Sequence, residues 1–296
     1  MIINKYMMSA KPIQIETPDK LLLDGFIFRG RNKELIYIFI HGLGGNLFSR
    51  MELIEKIVAS GASAMAFNNR GSGLFNRFRK INKRSLKGYD SFMAGSSAEV
   101  FKDSFQDIKG AVNLAKKEKY KKIILVGHST GSNKVAYYLS KINDDLVKGG
   151  ILLAPMSDCA FVKKQTNLRI LNKATKKAKD MVVAGKSHDF LPFKLWPYLI
   201  TAQRFLSLFT SISLEEVFSY RESKKSKVLG LIKKPLLVIL AQNDEFADRE
   251  MLEIFTWFQD NLPKNARLIS IVDAFHSFSG KTNVLKKHIL NWSKDL

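Results

Sequence analysis

Short apolar stretches recur along the chain, and each is followed by a longer segment whose apolar residues have helical spacing. The stretches are nearly continuously apolar, as expected for strands of a parallel sheet that helices cover on both faces. They comprise residues 35–42, 62–69, 122–128, 149–155, 235–242 and 266–272. The helical patterns lie near residues 47–60, 97–118, 131–142, 247–260 and 281–293. This alternation predicts an α/β fold with a doubly wound, mostly parallel sheet.

Two segments depart from the alternation. Residues 12–16 and 21–28 predict an antiparallel hairpin at the sheet edge, with the sequence TPDK as its turn. Residues 156–234 are rich in aromatic residues and contain no convincing strand. We therefore expect a core made of residues 1–155 and 235–296, with residues 156–234 forming a helical lid insertion over the carboxyl ends of the strands.

The composition indicates a folded chain in a reducing compartment. The 46% hydrophobic content of its 296 residues can bury a sizeable core. Cys159 is the single cysteine, which excludes an internal disulfide framework. The N-terminal sequence lacks the apolar region of a signal peptide, and no uncharged apolar run approaches the roughly 20 residues of a membrane-spanning helix. These features predict a cytoplasmic protein.

The formal net charge of +21 raises the question of an anionic partner. No sequence motif favours nucleic acid as that partner, because zinc-finger spacing, an RNP-like strand and a phosphate-cradling glycine loop are all absent from the sequence. Lysine is spread along nearly the whole chain, as on a surface whose charge serves only solubility. Residues 77–87, however, form a predicted loop with many basic residues and no acidic one. This loop predicts a preference for small molecules that carry a negative charge.

The sequence GHSTG at residues 127–131 lies between a predicted strand and a predicted helix. In that setting G-x-S-x-G is the nucleophile elbow, a sharp turn that exposes the serine hydroxyl near a helix N-terminus. We therefore expect Ser129 to be a nucleophile.

A serine nucleophile needs donors for the oxyanion that forms during the reaction. The sequence HGLGG at residues 41–45 follows a strand and can present backbone N–H groups. We expect the backbone N–H groups of Leu43 and Thr130 to form the oxyanion hole. His41 is interpreted as a structural residue that fixes the loop.

The nucleophile also needs a general base, and the base needs an acid that orients it. Among the five histidines, His276 is the one that lies in a loop directly after the last predicted strand. The acid is expected between serine and histidine in chain order. Asp244 follows a strand and is the favoured candidate. Asp248 is the alternative, unless it caps the following helix.

The motifs HGLGG, NNRGSG, GHSTG, ND and FHSF, in this order, resemble the α/β-hydrolase superfamily over residues 35–155 and 235–290. More narrowly, GHSTGSNKVAYYL followed by GGILLAPMSD resembles the fungal siderophore esterases and their microbial relatives. The strand before Asp244 ends in Ala241, where many superfamily members have glycine, which leaves the position of the acid open.

The resemblance implies a serine hydrolase that cleaves a small-molecule carboxylic ester through an acyl-enzyme, without cofactor or metal. Serine at the elbow, rather than aspartate, argues against dehalogenase or epoxide-hydrolase chemistry. The triad leaves peptidase, thioesterase and acyltransferase activities open. A non-catalytic basic binding protein on the same fold is a further alternative.

Overall fold

A computed structural model describes residues 8–296. Residues 1–7, on which the signal-peptide prediction partly rests, lie outside the described part. The fold is built on one ten-stranded sheet with the order β10-β9-β8-β7-β3-β4-β2-β5-β6, and β1 pairs with β2. The strands are β1 (Ala10–Glu16), β2 (Leu21–Phe28), β3 (Leu35–Ile40), β4 (Ser63–Phe67), β5 (Asn76–Ile81), β6 (Tyr89–Ala94), β7 (Lys122–His128), β8 (Val147–Leu153), β9 (Leu236–Ala241) and β10 (Ala266–Ile271).

Neighbouring strands in the part of the sheet ordered β10-β9-β8-β7-β3-β4 are parallel. The pairs β1–β2, β2–β4, β2–β5 and β5–β6 are antiparallel. The prediction of a doubly wound, mostly parallel sheet is therefore confirmed. The N-terminal hairpin is also confirmed, since β1 pairs with β2 from Ala10 opposite Phe28 to Glu16 opposite Leu22.

Helices cover both faces of the sheet because successive residues of each buried strand point to opposite sides. In β3, Ile36, Ile38 and Ile40 belong to one hydrophobic core, and Tyr37 and Phe39 belong to the other. Helices α2, α3 and α8 pack on the first face, and α1 and α9 pack on the second. The helices of the core are α1 (Met51–Ala59), α2 (Ser104–Lys117), α3 (Thr130–Leu139), α8 (Met251–Asn261) and α9 (Thr282–Ser293).

The predicted loop at residues 77–87 is correct only in part, since residues 77–81 belong to strand β5 and residues 82–87 form the turn that joins β5 to β6 in an antiparallel hairpin. The hairpin forms because Phe78 is buried against the core and Phe92, its cross-strand partner, packs there too. The last predicted strand is present, but β10 is a half-exposed edge strand rather than a buried one. Within residues 8–296, β10 pairs with β9 alone and forms one edge of the sheet.

Residues 154–235 contain helices and no strand of the sheet. Hydrophobic residues between Val162 and Leu208 form a third core, whereas those between Val217 and Ile232 belong to the first core of the sheet. The helices are α4 (Asp158–Gln165), α5 (Leu168–Val183), α6 (Ala202–Phe209) and α7 (Lys227–Leu231). Across residues 8–296, no helix combines the length and the apolar character needed to cross a membrane.

Candidate active site

Ser129 lies at the turn between strand β7 and helix α3, in a backbone conformation that residues with a side chain rarely adopt. Its φ is 56° and its ψ is −128°. A positive φ at serine is strained, and such strain persists where the surrounding structure enforces it. This is the local geometry expected of a nucleophile elbow.

The glycines on either side of Ser129 make the sharp turn sterically feasible. A Cβ atom on Gly131 would lie 2.2 Å from the carbonyl oxygen of Ile40, and one on Gly127 would lie 2.3 Å from the carbonyl oxygen of Gly131. Both contacts are with backbone, which cannot move aside as a side chain can. The turn therefore requires glycine at both positions.

His276 and Asp244 follow the adjacent parallel strands β10 and β9, so their loops meet at the same edge of the sheet. His276 Nδ1 lies 2.8 Å from Asp244 Oδ2, and both residues are buried. An Nδ1–H that donates to the carboxylate leaves Nε2 as the ring nitrogen able to accept a proton. Glu245, the residue after Asp244, accepts a 2.9 Å hydrogen bond from the His276 backbone N–H.

Asp248 is directed away from His276. Its carboxylate pairs with Arg221 at 2.7 Å and with Arg249 at 3.2 Å. The expectation that Asp248 caps the following helix is wrong, because the residue that precedes α8 is Glu250 and the two guanidinium groups hold the Asp248 carboxylate.

The loop after β3 runs close to Ser129. A Cβ atom on Gly42 would lie 2.9 Å from Ser129 Cβ and 3.5 Å from its Oγ. The Leu43 N–H makes no hydrogen bond to another described residue, and Thr130 is the first residue of α3, where an N–H has no acceptor within the helix. Both N–H groups expected to form the oxyanion hole thus lie on segments that flank Ser129.

The side chain of His41 fixes the loop after β3. Its Nδ1 lies 2.9 Å from the Gly42 carbonyl oxygen, and its Nε2 accepts a 3.2 Å hydrogen bond from the Asn69 N–H. Burial lowers the pKa of His41 to about 4, so the ring is neutral near pH 7. With both nitrogens engaged, His41 has the structural arrangement that the sequence analysis assigned to it.

His128 supports the loop of His276 from the side of β7. Its Nε2 donates to the His276 carbonyl oxygen at 2.9 Å, and the two ring centroids are 4.9 Å apart. Burial, together with nearby Arg50 and His276, lowers the pKa of His128 well below its ordinary value. A neutral ring here adds no positive charge beside His276.

Ser129 and His276 line one cavity of about 300 Å³. No hydrogen bond joins Ser129 Oγ to the His276 ring in the described structure, and catalytic hydrogen bonds often tighten only when substrate binds. The rest of the lining comes from the oxyanion loop, the start of α1, the start of the insertion and the loop after β9. It consists of Gly42, Leu43, Gly45, Ser49, Arg50, His128, Met156, Ser157, Asp158, Phe161 and Phe246.

Two aromatic residues lie in the wall of the cavity. Phe161 and Phe246 line it, with ring centroids 5.1 Å apart, and Phe246 also contacts the His276 ring. The aromatic residues at 193–198 of the insertion do not line this cavity, since Trp196 is buried in the insertion core and Phe193 and Tyr198 are exposed. The sequence alone could not distinguish the aromatic residues that line the cavity from those that do not, because both groups lie in helical or loop patterns of similar composition.

Arg50 and Asp158 also line the cavity and were missed. Burial raises the pKa of Asp158 to about 7, with Glu215 adding to the effect. In the sequence, Asp158 is the last residue of the segment GGILLAPMSD, and Arg50 is one arginine among many basic residues. Neither position carries a local signal of a cavity.

Known proteins resemble this chain in sequence. The family described as "Protein of unknown function (DUF1749)" matches residues 83–291. A protein of Mycoplasma pneumoniae with the name "Putative esterase/lipase 2" is 24% identical over 159 residues, which make up 53% of this chain. They make up 52% of that protein, so the match spans about half the length of this relative.

Solved structures resemble the chain over nearly its whole length. Siderophore hydrolase EstB from Aspergillus fumigatus has a TM-score of 0.67 and 18% identity, covering 98% of this chain and 99% of that chain. Alpha/beta hydrolase GrgF from Penicillium sp. has a TM-score of 0.66 and 15% identity, covering 97% of each chain. At these identities the likeness establishes the α/β-hydrolase fold and, by itself, no activity.

Proposed function

The chain belongs to the protein family DUF1749 and has the α/β-hydrolase fold, and we propose that it is a serine hydrolase that cleaves carboxylic esters. The observation that carries the proposal is the convergence of two features on one cavity. Ser129 is held there at positive φ, and His276 is held there by Asp244 at 2.8 Å. The relatives named as esterases or hydrolases support ester hydrolysis as the reaction class.

In the proposed mechanism, Ser129 Oγ attacks the ester carbonyl while His276 Nε2 takes its proton. Asp244 keeps the imidazole oriented and stabilises it when it is charged. The backbone N–H groups of Leu43 and Thr130 donate to the oxyanion. His276 then returns the proton to the departing alcohol, and water attacks the acyl-enzyme with His276 again acting as base.

We propose that the insertion, residues 156–234, acts as the lid of this site. Its first residues, Met156 to Asp158 and Phe161, line the cavity beside Ser129. The same triad can act on thioesters or amides, or transfer the acyl group to another acceptor. Among these reactions, ester cleavage is favoured by the named relatives.

Labelling with a fluorophosphonate probe tests the nucleophile directly. The parent protein is expected to be labelled, and Ser129→Ala is expected to lose both labelling and, by on the order of 10⁴-fold or more, ester turnover. The matched control is Ser91→Ala, which removes an exposed hydroxyl on β6. It should be labelled like the parent.

A panel of esters, thioesters and amides with the same acyl group then identifies the leaving group. The proposal predicts the highest kcat/KM for the oxygen ester. Turnover of Ser129→Ala close to that of the parent would show that the assignment of the nucleophile is wrong.

A further inference from the structure

Arg50 lines the cavity that contains Ser129, and it lacks the acidic partner that the buried arginines Arg70 and Arg204 have. Arg70 pairs with Asp107 at 2.7 Å, and Arg204 pairs with Glu99 at 2.9 Å. No carboxylate of residues 8–296 forms an ion pair with Arg50. The guanidinium beside the proposed nucleophile is therefore uncompensated.

The hydrogen bonds of Arg50 are also incomplete. Its Nη1 donates to the Ser277 carbonyl oxygen at 2.5 Å. Its Nε is buried and makes no hydrogen bond within the described chain. Burial lowers the pKa of Arg50, which shows that removing this cation from water is unfavourable. A partly buried cation with unused donors is usually matched by an anion, because leaving it unpaired is costly.

The other ionisable groups along the cavity wall do not cancel this charge. His128 is neutral, as its lowered pKa shows. Asp158 lies outside ion-pair distance of Arg50, and burial raises its pKa to about 7. Helix α1 begins directly after Arg50, and the N-terminus of a helix also favours negative charge. The region beside Arg50 thus favours an anion.

We propose that Arg50 binds a carboxylate of the substrate, so that the enzyme prefers short esters that carry an acidic group within reach of the same cavity. This inference rests on the proposed ester hydrolysis at Ser129. A guanidinium can hold a carboxylate through two parallel N–H···O bonds, which fixes orientation as well as charge. The carboxylate lies on the substrate, within the cavity of about 300 Å³, and the ester carbonyl lies at Ser129.

The test compares kcat/KM for the monophenyl ester of adipic acid with that for phenyl hexanoate, which has the same chain length and no charge. A second pair, para-acetoxybenzoate and para-acetoxybenzamide, places the charge on the alcohol side. Assays at about 1 M NaCl screen charges beyond roughly 3 Å and leave a direct contact largely intact. We expect the acidic ester of at least one pair to be preferred about tenfold or more.

The variants assign that preference to Arg50. Arg50→Gln should bring the ratio of acidic to neutral ester close to one, and Arg50→Lys, which keeps the charge and loses the planar fork, should keep part of it. Arg31→Gln removes the same charge at an exposed site before β3, at the opposite end of the strands, and should leave the ratio as in the parent.

Fluorophosphonate labelling of each variant shows whether its site is intact, and if Arg50→Gln does not fold, Arg50→Lys decides. If Arg50 only holds the Ser277 loop, both esters of a pair will slow equally and the ratio will not change, which would overturn the inference. A parent ratio near one in both pairs would overturn it as well. Absence of turnover with either neutral ester, together with absence of labelling, would instead count against the proposed function.

Discussion

At the scale of single residues, Asp244 and Asp248 have different roles although they are four positions apart. Asp244 contacts His276 Nδ1 at 2.8 Å, whereas Asp248 is held by Arg221 and Arg249. Only Asp244 can fix the tautomer and orientation of the imidazole. Substituting Asp244 and Asp248 one at a time therefore shows which of them is the acid of the proposed triad.

Asp244→Asn is expected to lower kcat by on the order of 10⁴-fold, because an amide at this position favours the wrong tautomer of His276. Asp248→Asn is expected to lower stability more than turnover, because it weakens two ion pairs away from the cavity. Steady-state kinetics and urea denaturation of both variants distinguish the two effects. The opposite ranking of activities would move the acid to Asp248.

A physical reason explains why the sequence identified some residues of the site and not others. Ser129, His276 and Asp244 could be proposed because each follows a strand, and strand ends are visible as the limits of apolar runs. Arg50 has no such marker, since it precedes an amphipathic helix in a chain with 48 lysines and arginines. Arg50 stands out only in the three-dimensional structure, where no carboxylate of residues 8–296 forms an ion pair with it.

At the scale of elements, the insertion is attached to the core by buried ion pairs. Arg204 on α6 pairs with Glu99, and Glu99 pairs with Lys134 on α3 at 2.6 Å. Arg204 Nη1 also pairs with Glu215, and its Nε donates to the Ser96 carbonyl oxygen. This attachment implies that α6 stays fixed on the core when substrate enters.

Arg204→Met is expected to lower the free energy of unfolding by about 3–5 kcal/mol, because it leaves Glu215 buried without its ion-pair partner and leaves Glu99 paired with Lys134 alone. The matched control is Arg29→Met, which removes a partly exposed ion pair with Glu118 and should cost less than about 1 kcal/mol. Urea denaturation measures both. A loss for Arg204→Met no larger than that of the control would mean that the buried network does not anchor the insertion.

The elements differ in how far sequence predicted them. The parallel strands were clear because they are apolar throughout, as the buried run of β9 shows. The hairpin β5–β6 was missed because its strands are mostly solvent-exposed and carry basic residues, so Phe78 and Phe92 are the main apolar signal. The pairing of such strands depends on the partner β2, which lies more than fifty positions earlier in the chain.

At the scale of the whole molecule, positive charge exceeds negative charge by 21. Residues 77–87 concentrate this excess on the hairpin β5–β6, and none of them lines the Ser129 cavity. The hairpin can therefore influence an anionic substrate only through its long-range field. Arg50, in contrast, lies in the cavity wall.

The long-range field of the hairpin and the direct contact with Arg50 respond differently to salt. A field from exposed charges weakens once the Debye length falls to about 8 Å near 0.15 M salt, and it acts mainly on substrate capture. A direct contact between Arg50 and a carboxylate is screened much less. The preference for an acidic ester should thus have a part that salt removes and a part that persists.

The combined substitution Lys83→Gln, Arg84→Gln and Lys87→Gln at the hairpin tip should remove most of the salt-sensitive part. It should leave the ratio of acidic to neutral ester at about 1 M NaCl as in the parent. The control with the same loss of charge is Arg31→Gln, Lys121→Gln and Lys122→Gln, which lies at the ends of β3 and β7 opposite Ser129. Measurement of kcat/KM for both esters from about 0.02 M to about 1 M NaCl separates the part of the preference that salt removes from the part that persists. If the tip variant and the control change the low-salt preference equally, the hairpin contributes only to the net charge of the protein and does not direct substrates to the cavity.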